Sequence, residues 1–335
     1  MKHTICLLES RTDDAIGAYL TTESVRRYEP GIAVHLNCVS AAGASEKLKN
    51  DPMVEFDPSA PEGVESWNCK PHTMIPLLEE RGGRVTWLDS DMILTGPVSP
   101  IFDGLSDETI VTAVECTNAP TTQGCTARAE GWGFEVGREI SQTLNSSVLS
   151  CTEKHLPLLR RWKEILSSET YRALQKTPLT ERPIHAWSDQ DVLCALLASR
   201  EFSDIPLRTL ELGSEMIHVG HSLSYHGRER LANIGHLPPF VHAGAARPWS
   251  KYFFAEGGAQ GLLRKVNRDL SPYTALGQEY ADRYPEVRKW REEETLIGKI
   301  LRLGAGNNPA LSGLPLWTTA FTIRSITSKL RNQRP

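Results

Sequence analysis

The spacing of apolar positions near the start of the chain predicts a strand, a helix and a second strand. The apolar run at residues 5–8 is typical of a buried parallel strand, and it leads into a loop that contains Arg11. Residues 15–28 carry apolar side chains at helical spacing, and a Pro-Gly pair ends that helix before a strand at 32–39. A strand, helix and strand within about 35 residues form a βαβ unit, which favours a parallel sheet covered on both faces.

Later segments continue this α/β pattern. Further strands are predicted at residues 84–88, 109–115, 133–136 and 145–150, and helices at 71–80, 155–167 and 188–198. Residues 41–66 form a predicted loop region with room for one short helix, and residues 117–131 a mobile loop. Because the chain after residue 250 has mostly helical spacing, we expect a main domain over residues 1–250 and a helical extension over 251–335.

Composition places the chain among ordinary globular proteins. Apolar residues make up 40% and charged residues 23% of the 335 positions, and the net charge of −4 gives no reason to expect nucleic acid binding. The seven cysteines form no C-x-x-C pair, which favours reduced thiols in the cytoplasm. The apolar run at the N-terminus is too short for a signal peptide, and we expect no membrane-spanning segment.

The C-terminal tail has a different charge pattern from the body. Residues 295–335 contain six lysines and arginines and no acidic residue, interspersed with large apolar side chains. A basic amphipathic segment can lie on an anionic membrane surface, so residues 314–335 are a candidate for peripheral contact with the inner face of a membrane. The alternative is a solvated terminal helix that docks on the body.

The segment VTWLDSDMIL contains the strongest candidate for a functional site. Asp89 and Asp91 follow an apolar strand and are separated by Ser90. Alternate side chains of an extended segment point to the same side, and ligands of open α/β sheets bind at the carboxyl ends of strands. Paired carboxylates at such a place suit Mg²⁺ or Mn²⁺ bound to a diphosphate. The alternative is a turn with two capping aspartates.

The segment FVHAGAARPW is the second candidate. His242 follows two apolar residues, and an imidazole beside carboxylates suits Mn²⁺ better than oxygen ligands alone. Small residues around Gly244 would let the backbone approach a phosphate closely, and Arg247 could bind diphosphate oxygens through its guanidinium. The alternative is a core histidine and a surface arginine.

The segment AWSDQDVLCALL places polar side chains at a predicted helix start. Ser188 is expected to be the N-cap, with Asp189 and Asp191 in the first turn, where negative charge complements the helix dipole. From the residues alone, Asp189 and Gln190 could have only this role or could also bind a sugar. Asn145, in NSSVL, could likewise hydrogen-bond a sugar or form a turn.

In chain order, the motifs LDSD, TAVE, NSSVL, SDQD and HAGAARPW resemble those of family 8 glycosyltransferases, which include bacterial lipopolysaccharide galactosyl- and glucosyltransferases and glycogenin. This resemblance, over residues 1–250, implies the Rossmann-like GT-A fold with a mixed, mostly parallel sheet and helices on both faces. It also implies a hexosyltransferase that uses a nucleotide-diphosphate sugar, with UDP favoured. The acceptor would be a saccharide or lipid-linked molecule, and the anomeric configuration would be retained.

The resemblance also implies roles for particular residues. Asp89, Asp91 and His242 would bind Mn²⁺ or Mg²⁺ on the donor diphosphate, and Arg247 would stand at the position of a diphosphate-binding lysine. Asp189 and Gln190 would act at the reacting sugar. The other donor-binding residues would be Glu9, Arg11, Lys70, Ser90, Asn145 and Gly244.

Two positions depart from the family pattern, and they leave alternatives open. The step from His242 to Gly244 is one residue shorter than in the family, and Ser147 stands where the family has glycine. The first departure affects the diphosphate geometry and the second the acceptor contacts. A more distant relative within the GT-A group, or a nucleotide-sugar-binding module without activity, therefore remains possible.

Two other enzyme classes fit the residues less well. A D-x-D phosphatase needs a threonine shortly after the second aspartate, whereas residues 92–94 read Met-Ile-Leu. A nucleotidyltransferase needs a glycine-rich N-terminal loop, which LLESRTDD lacks. No carboxylate nucleophile is clearly placed, so we expect front-face attack assisted by the leaving phosphate; covalent trapping of the sugar by Asp189 or Gln190 is the alternative.

Overall fold

The computed structural model describes residues 2–10, 15–38, 44–59, 66–116, 124–220, 223–244, 247–250, 258–281 and 283–332. The chain divides into two compact units. Unit 1 consists of Met1–Tyr19, Glu29–Ser90 and Ser99–Glu211. Unit 2 consists of Leu20–Tyr28, Asp91–Val98 and Leu212–Pro335. The division at residue 250, which the helical spacing after that residue suggests, stays a prediction.

Unit 1 contains a seven-stranded sheet with the order β3-β2-β1-β4-β7-β6-β8. Only β7 runs antiparallel to its neighbours, so the sheet is mixed and mostly parallel, as predicted. Its strands are β1 (His3–Glu9), β2 (Ala33–Cys38), β3 (Val54–Asp57), β4 (Arg84–Leu88), β6 (Ile110–Val114), β7 (Leu144–Thr152) and β8 (Leu207–Thr209). Every residue of β4, β6 and β7 is buried, which is typical of strands covered on both faces.

Helices surround this sheet. Helix α1 (Ile16–Tyr28) begins in unit 1 and ends in unit 2. The other helices of unit 1 are α2 (Ala44–Lys49), α3 (Lys70–Arg81), α4 (Ser99–Phe102), α5 (Gly124–Gly131), α6 (Leu156–Ser167), α7 (Glu169–Gln175) and α8 (Asp189–Ala198). Helix α6 has its apolar residues at helical spacing and buries Leu158, Leu159 and Trp162 in the core.

Unit 2 has a three-stranded sheet and a group of helices. Strand β10 (Phe240–His242) lies between β5 (Met92–Leu94), to which it is antiparallel, and β9 (Met216–His218), to which it is parallel. The helices are α9 (Gly227–Ala232), α10 (Gly258–Asp269), α11 (Pro272–Gly277), α12 (Pro285–Glu292), α13 (Leu296–Gly304), α14 (Pro309–Ser312) and α15 (Leu314–Asn332). In the described part of the chain, no helix is both long enough and apolar enough to cross a membrane.

Three of the secondary-structure predictions from the sequence were wrong. Residues 124–131 were predicted to be loop but form α5, because Arg128 bonds to the Gly124 carbonyl at 2.7 Å and to buried Asp191 at 2.6 Å. The predicted strand at 133–136 is only an isolated bridge at Val136. Strand β3 lies inside a predicted loop region, since its four residues VEFD are too short a run to identify a strand locally and its pairing comes from β2. Residues 117–123 lie outside the described residues.

Candidate functional site

The topology of unit 1 collects polar side chains at one edge of its sheet. Strands β1 and β4 are parallel, so Glu9 and Asp89 lie at the same edge. Strand β7 is antiparallel to β4, which places its first residues there too, and the Asp89 amide donates to the Ser147 carbonyl at 2.9 Å. Asn145 and Glu115 reach this edge through the pairing of β7 with β6. The predicted concentration of site residues at the strand ends is therefore present in unit 1.

Lys70 is a buried cation at this edge. Its Nζ lies 3.0 Å from Oδ2 of Asp189 and 3.5 Å from Oδ1 of Asp89, and it donates to Oγ of Ser146 at 2.5 Å. Burial by itself lowers the pKa of Lys70, but the charges of Asp189 and Asp89 outweigh it and hold the pKa above its ordinary value. The side chain is thus a fixed positive charge between two carboxylates.

The two aspartates at the start of α8 have different surroundings. Asp189 faces Lys70 and Ser146, and burial raises the pKa of its carboxyl against the opposing charge of Lys70. Asp191 instead accepts from the amide and hydroxyl of Ser188, each at 2.8 Å, and from buried Arg128. Asp191 therefore caps and anchors the helix, which confirms Ser188 as the predicted N-cap, whereas Asp189 lies among the polar residues of the sheet edge.

Glu115 links two of the predicted sugar-binding residues. Its Oε2 accepts from Nδ2 of Asn145 at 2.8 Å and from Nε2 of Gln190 at 3.1 Å. Asn145 in turn accepts from the Ser147 amide at 2.9 Å. The sequence did not single out Glu115 as a site residue, although an acidic residue directly after a buried strand was a signal for it.

Glu9 and Ser90, which were both predicted to lie near the donor, also meet at this edge. The Ser90 hydroxyl donates to Oε2 of Glu9 at 3.0 Å, and both side chains are buried. The indole of Trp87 donates to Oδ1 of Asp89 at 2.8 Å and fixes the direction of that carboxylate. Arg11, the other predicted residue of this loop, lies outside the described residues.

Unit 2 brings Asp91 and His242 together. Antiparallel pairing sets His242, at the end of β10, opposite Met92, at the start of β5, and the Ala243 amide donates to the Asp91 carbonyl at 3.0 Å. Nε2 of His242 lies 3.3 Å from Oδ1 of Asp91. Arg247 donates from Nε to Oδ2 of the same carboxylate at 2.6 Å. Burial raises the pKa of Asp91, but the charges of Arg247 and His242 hold it well below its usual range, so the carboxyl is ionised.

A second histidine lies beside His242. Strand β9 places His218 next to it in register, and their Nδ1 atoms are 3.0 Å apart. One ring donates and the other accepts in this contact, so the tautomers of the two histidines are coupled. The sequence did not single out His218. Gly244 follows with a φ of 57°, a left-handed conformation that favours glycine.

Asp89, Asp91 and His242 each offer one ligand atom, and these atoms lie within 4.8 Å of one another. Two carboxylates and an imidazole are a suitable ligand set for Mn²⁺, and the oxygens also suit Mg²⁺. The Asp-x-Asp-His cluster that the sequence suggested is therefore present and is compatible with a divalent metal.

Comparison with known proteins gives a likeness of fold. No family model and no curated protein matches the sequence. The bifunctional glycosyltransferase WbbM superposes with a TM-score of 0.50 at 12% identity, over 85% of this chain and 51% of that one, so this chain spans about half its length. GlyE of Streptococcus pneumoniae TIGR4 gives a TM-score of 0.49 at 14% identity, over 84% of this chain and 64% of that one.

The galactosyltransferase LgtC, solved with donor and acceptor sugar analogs, gives a TM-score of 0.47 at 15% identity and covers 82% of this chain and 95% of its own. At these identities a likeness establishes fold and leaves activity open. The superposition with WbbM, together with the mixed sheet of unit 1, establishes the predicted GT-A fold for this chain.

Proposed function

We propose that this protein is a metal-dependent glycosyltransferase that moves a hexose from a nucleotide-diphosphate sugar to a saccharide or lipid-linked acceptor. A UDP-linked sugar is the favoured donor. The observation that carries the proposal is the cluster of Asp89, Asp91 and His242, since a GT-A sheet has its ligand edge at the carboxyl ends of the strands. In this proposal residues 1–250 are the catalytic domain, and the protein works in the cytoplasm.

The cluster would hold Mn²⁺ or Mg²⁺, and a bound cation would supply charge that stabilises the departing diphosphate. The neighbouring side chains keep the two carboxylate ligands ionised and oriented for such a cation. Asp91 is ionised because of Arg247 and His242, and Trp87 orients the Asp89 carboxylate. No protonated carboxylic acid is needed for this leaving group, in contrast to glycosidases.

Arg247 is proposed to bind diphosphate oxygens. Its side chain is 39% exposed and bonds to Asp91 through Nε. A guanidinium binds phosphate oxygens through two parallel N–H groups, which favours a shift from Asp91 to the donor. The left-handed Gly244 is proposed to let the backbone come close to the phosphates.

Asp189 and Asn145 are proposed to bind hydroxyls of the donor sugar, with Gln190 near the anomeric carbon. Lys70 positions Asp189 by an ion pair, and Glu115 positions Asn145 and Gln190 by hydrogen bonds. The Asp189 carboxylate also bonds to Ser146, which favours a holding role over that of a nucleophile. We therefore propose front-face attack with retention, in which the leaving phosphate takes the acceptor proton.

The direct test is turnover of a panel of nucleotide sugars, with Mn²⁺ and with excess chelator. We expect turnover only with metal, and loss of turnover in Asp91→Ala with an unchanged circular dichroism spectrum. Full activity in chelator would refute the metal role. Product NMR tests the stereochemistry: an inverted linkage relative to the donor would rule out retention.

A nucleotide-sugar-binding module without activity is the second candidate. It is supported by Ser147, which is buried where the resembling family has glycine. Calorimetry separates the two functions, since tight binding of a nucleotide sugar with no hydrolysis or transfer would favour the module.

A further inference from the structure

Trp67 is an exposed aromatic side chain next to the polar edge of the sheet in unit 1. It is 47% exposed and lies three residues before Lys70, the buried cation that bonds to Asp189. Because α3 begins at Lys70, about one helical turn separates Trp67 from that edge. Within the part of unit 1 that the structure describes, Leu179 is the only other exposed large apolar side chain. The Trp67 ring is therefore available to contact a molecule bound at this edge.

The indole nitrogen of Trp67 is held by helix α7. Burial raises the pKa of Tyr171, as do the charges of Asp189 and Asp191, so the Tyr171 hydroxyl lies within electrostatic reach of the start of α8. A hydrogen bond with Trp67 acts against this shift, and an indole N–H can only donate. The same hydroxyl donates to Oδ1 of Asn68 at 2.9 Å. One side of the indole is thus fixed, while the rest of the ring meets solvent.

Helix α7 also holds the segment that leads into α8. Gln175, one turn after Tyr171, donates to the Ala186 carbonyl at 2.6 Å. The next residue, Trp187, is partly exposed and lies two positions before the first residue of α8. Trp67 and Trp187 therefore precede the two helices that begin at the polar edge, and α7 fastens both segments.

The surroundings of Trp67 favour a sugar over a lipid chain. A pyranose ring has a face of polarised C–H groups and a rim of hydroxyls, and the negative face of an aromatic ring attracts such C–H groups. A lipid chain instead needs a continuous apolar surface. The described residues of unit 1 expose only Trp67 and Leu179 as large apolar side chains, which is too little for such a surface.

We propose that Trp67 binds the acceptor by stacking on a pyranose ring of a saccharide, next to the donor sugar at Asp189. This inference rests on the proposed function and narrows its acceptor to a saccharide. An acceptor enters from solvent, as the exposed ring requires. Because Tyr171 already holds the indole, little side-chain freedom is lost when the sugar binds.

The test compares two reactions of the full-length protein with Mn²⁺ and a UDP-hexose. Hydrolysis of the donor needs no acceptor, whereas transfer is measured with lactose, maltose and cellobiose. We expect Trp67→Ala to raise the acceptor KM about tenfold or more, because an aromatic contact and its buried area are lost, and to leave hydrolysis within about twofold of the wild type. Trp67→Phe keeps a ring and should recover part of the loss. Leu231→Ala, at a 54% exposed site on α9, is the control and should change neither reaction.

Tryptophan fluorescence gives a readout that does not need turnover. At least one of the three disaccharides should change the emission of the wild type, and Trp67→Phe should lose that change while its circular dichroism spectrum stays the same. An unchanged acceptor KM in Trp67→Ala would overturn the proposal, and so would an equal rise in Leu231→Ala. Weaker UDP binding by Trp67→Ala with an unchanged acceptor KM would assign the ring to the nucleoside base instead.

The same measurements separate this inference from the proposed function. A wild type that hydrolyses the donor, but neither transfers to the disaccharides nor changes its emission with them, would overturn only the role of Trp67. A wild type that turns over no donor with Mn²⁺ would refute the proposed function. A disaccharide response that depends on Trp67 would then still support saccharide binding at this residue, and its absence would refute both.

Discussion

Arg247 donates from Nε to Oδ2 of Asp91 at 2.6 Å, so the arginine proposed for the diphosphate already neutralises a proposed metal ligand. The Asp91 carboxylate is almost fully buried, whereas the Arg247 side chain is partly exposed. Without donor, Arg247 and a cation would compete for the same carboxylate. With donor, the phosphates would draw the guanidinium away from Asp91.

The first prediction concerns this competition. Arg247→Ala should bind Mn²⁺ alone several-fold more tightly than the wild type, because the Asp91 carboxylate loses a competing cation. The same variant should bind UDP at least about tenfold more weakly, because a charge-assisted contact to phosphate is removed. Electron paramagnetic resonance of Mn²⁺ measures the first affinity and calorimetry the second. Arg247→Lys, which keeps the charge, is the control; weaker Mn²⁺ binding by Arg247→Ala would contradict the competition.

The second prediction concerns His218 as a positioning residue for His242. If Nδ1 of His242 donates to His218, Nε2 is left as the acceptor that faces Asp91, as a metal ligand must be. We expect His218→Phe to weaken Mn²⁺ binding about tenfold or more, a typical effect of losing an outer partner of a metal ligand.

His218→Asn tests the same point by rescue. An amide side chain can accept the hydrogen bond, so it should recover part of the Mn²⁺ affinity, measured by electron paramagnetic resonance. His236→Ala removes an exposed histidine and should change nothing. Unchanged Mn²⁺ affinity in His218→Phe would show that the histidine pair has no role in metal binding.

The third prediction concerns the buried cation Lys70. Lys70→Met leaves the carboxylates of Asp189 and Asp89 without their nearest positive charge, so the free energy of unfolding should fall by about 3 kcal/mol. Adding Asp189→Asn should recover a substantial part, because the uncompensated buried charge is removed. Urea denaturation measures both changes. Lys154→Met, at an exposed site, should stay within about 0.5 kcal/mol of the wild type; an equal loss there would contradict the ion-pair explanation.

The fourth prediction concerns the pH dependence of stability through His3. Burial and the charge of Arg84 lower the pKa of His3 to about 4, and its Nε2 lies 2.8 Å from the Thr86 hydroxyl. The unfolded chain, with a histidine pKa of about 6.5, takes up the proton first, so stability is complete above that pH and falls as the pH drops toward 4. The loss should reach at most about 3 kcal/mol.

Comparison with His3→Gln isolates this effect. The variant should lose the part of the pH dependence between about 4 and 6.5 that belongs to His3, measured by urea denaturation at each pH. His72, whose pKa is also lowered to about 4, is present in both proteins and cancels in the difference. Parallel stability curves for the two proteins would contradict the assignment to His3.

Much of the fold could be predicted from local patterns. Strand β4 has the predicted bounds, and α6 and α8 differ from prediction by one residue at their starts, because long apolar periodicity and a good N-cap identify elements locally. The strand predicted at residues 145–150 is longer, since its pairing with β4 and β6 continues beyond the apolar run. Helix α5 was missed because a buried contact with Asp191 stabilises it.

The sequence by itself determined the α/β class and the positions of the two aspartates, the distant histidine and the helix start at Asp189. These features follow from the spacing of apolar residues and from the side-chain chemistry of residues that are neighbours in the sequence. Only the tertiary structure decided that Glu115 holds Asn145 and Gln190, that His218 meets His242 and that the apolar face of α13 points outward. Such contacts depend on strand register and helix rotation, which are set by packing between segments far apart in the chain and leave no local pattern.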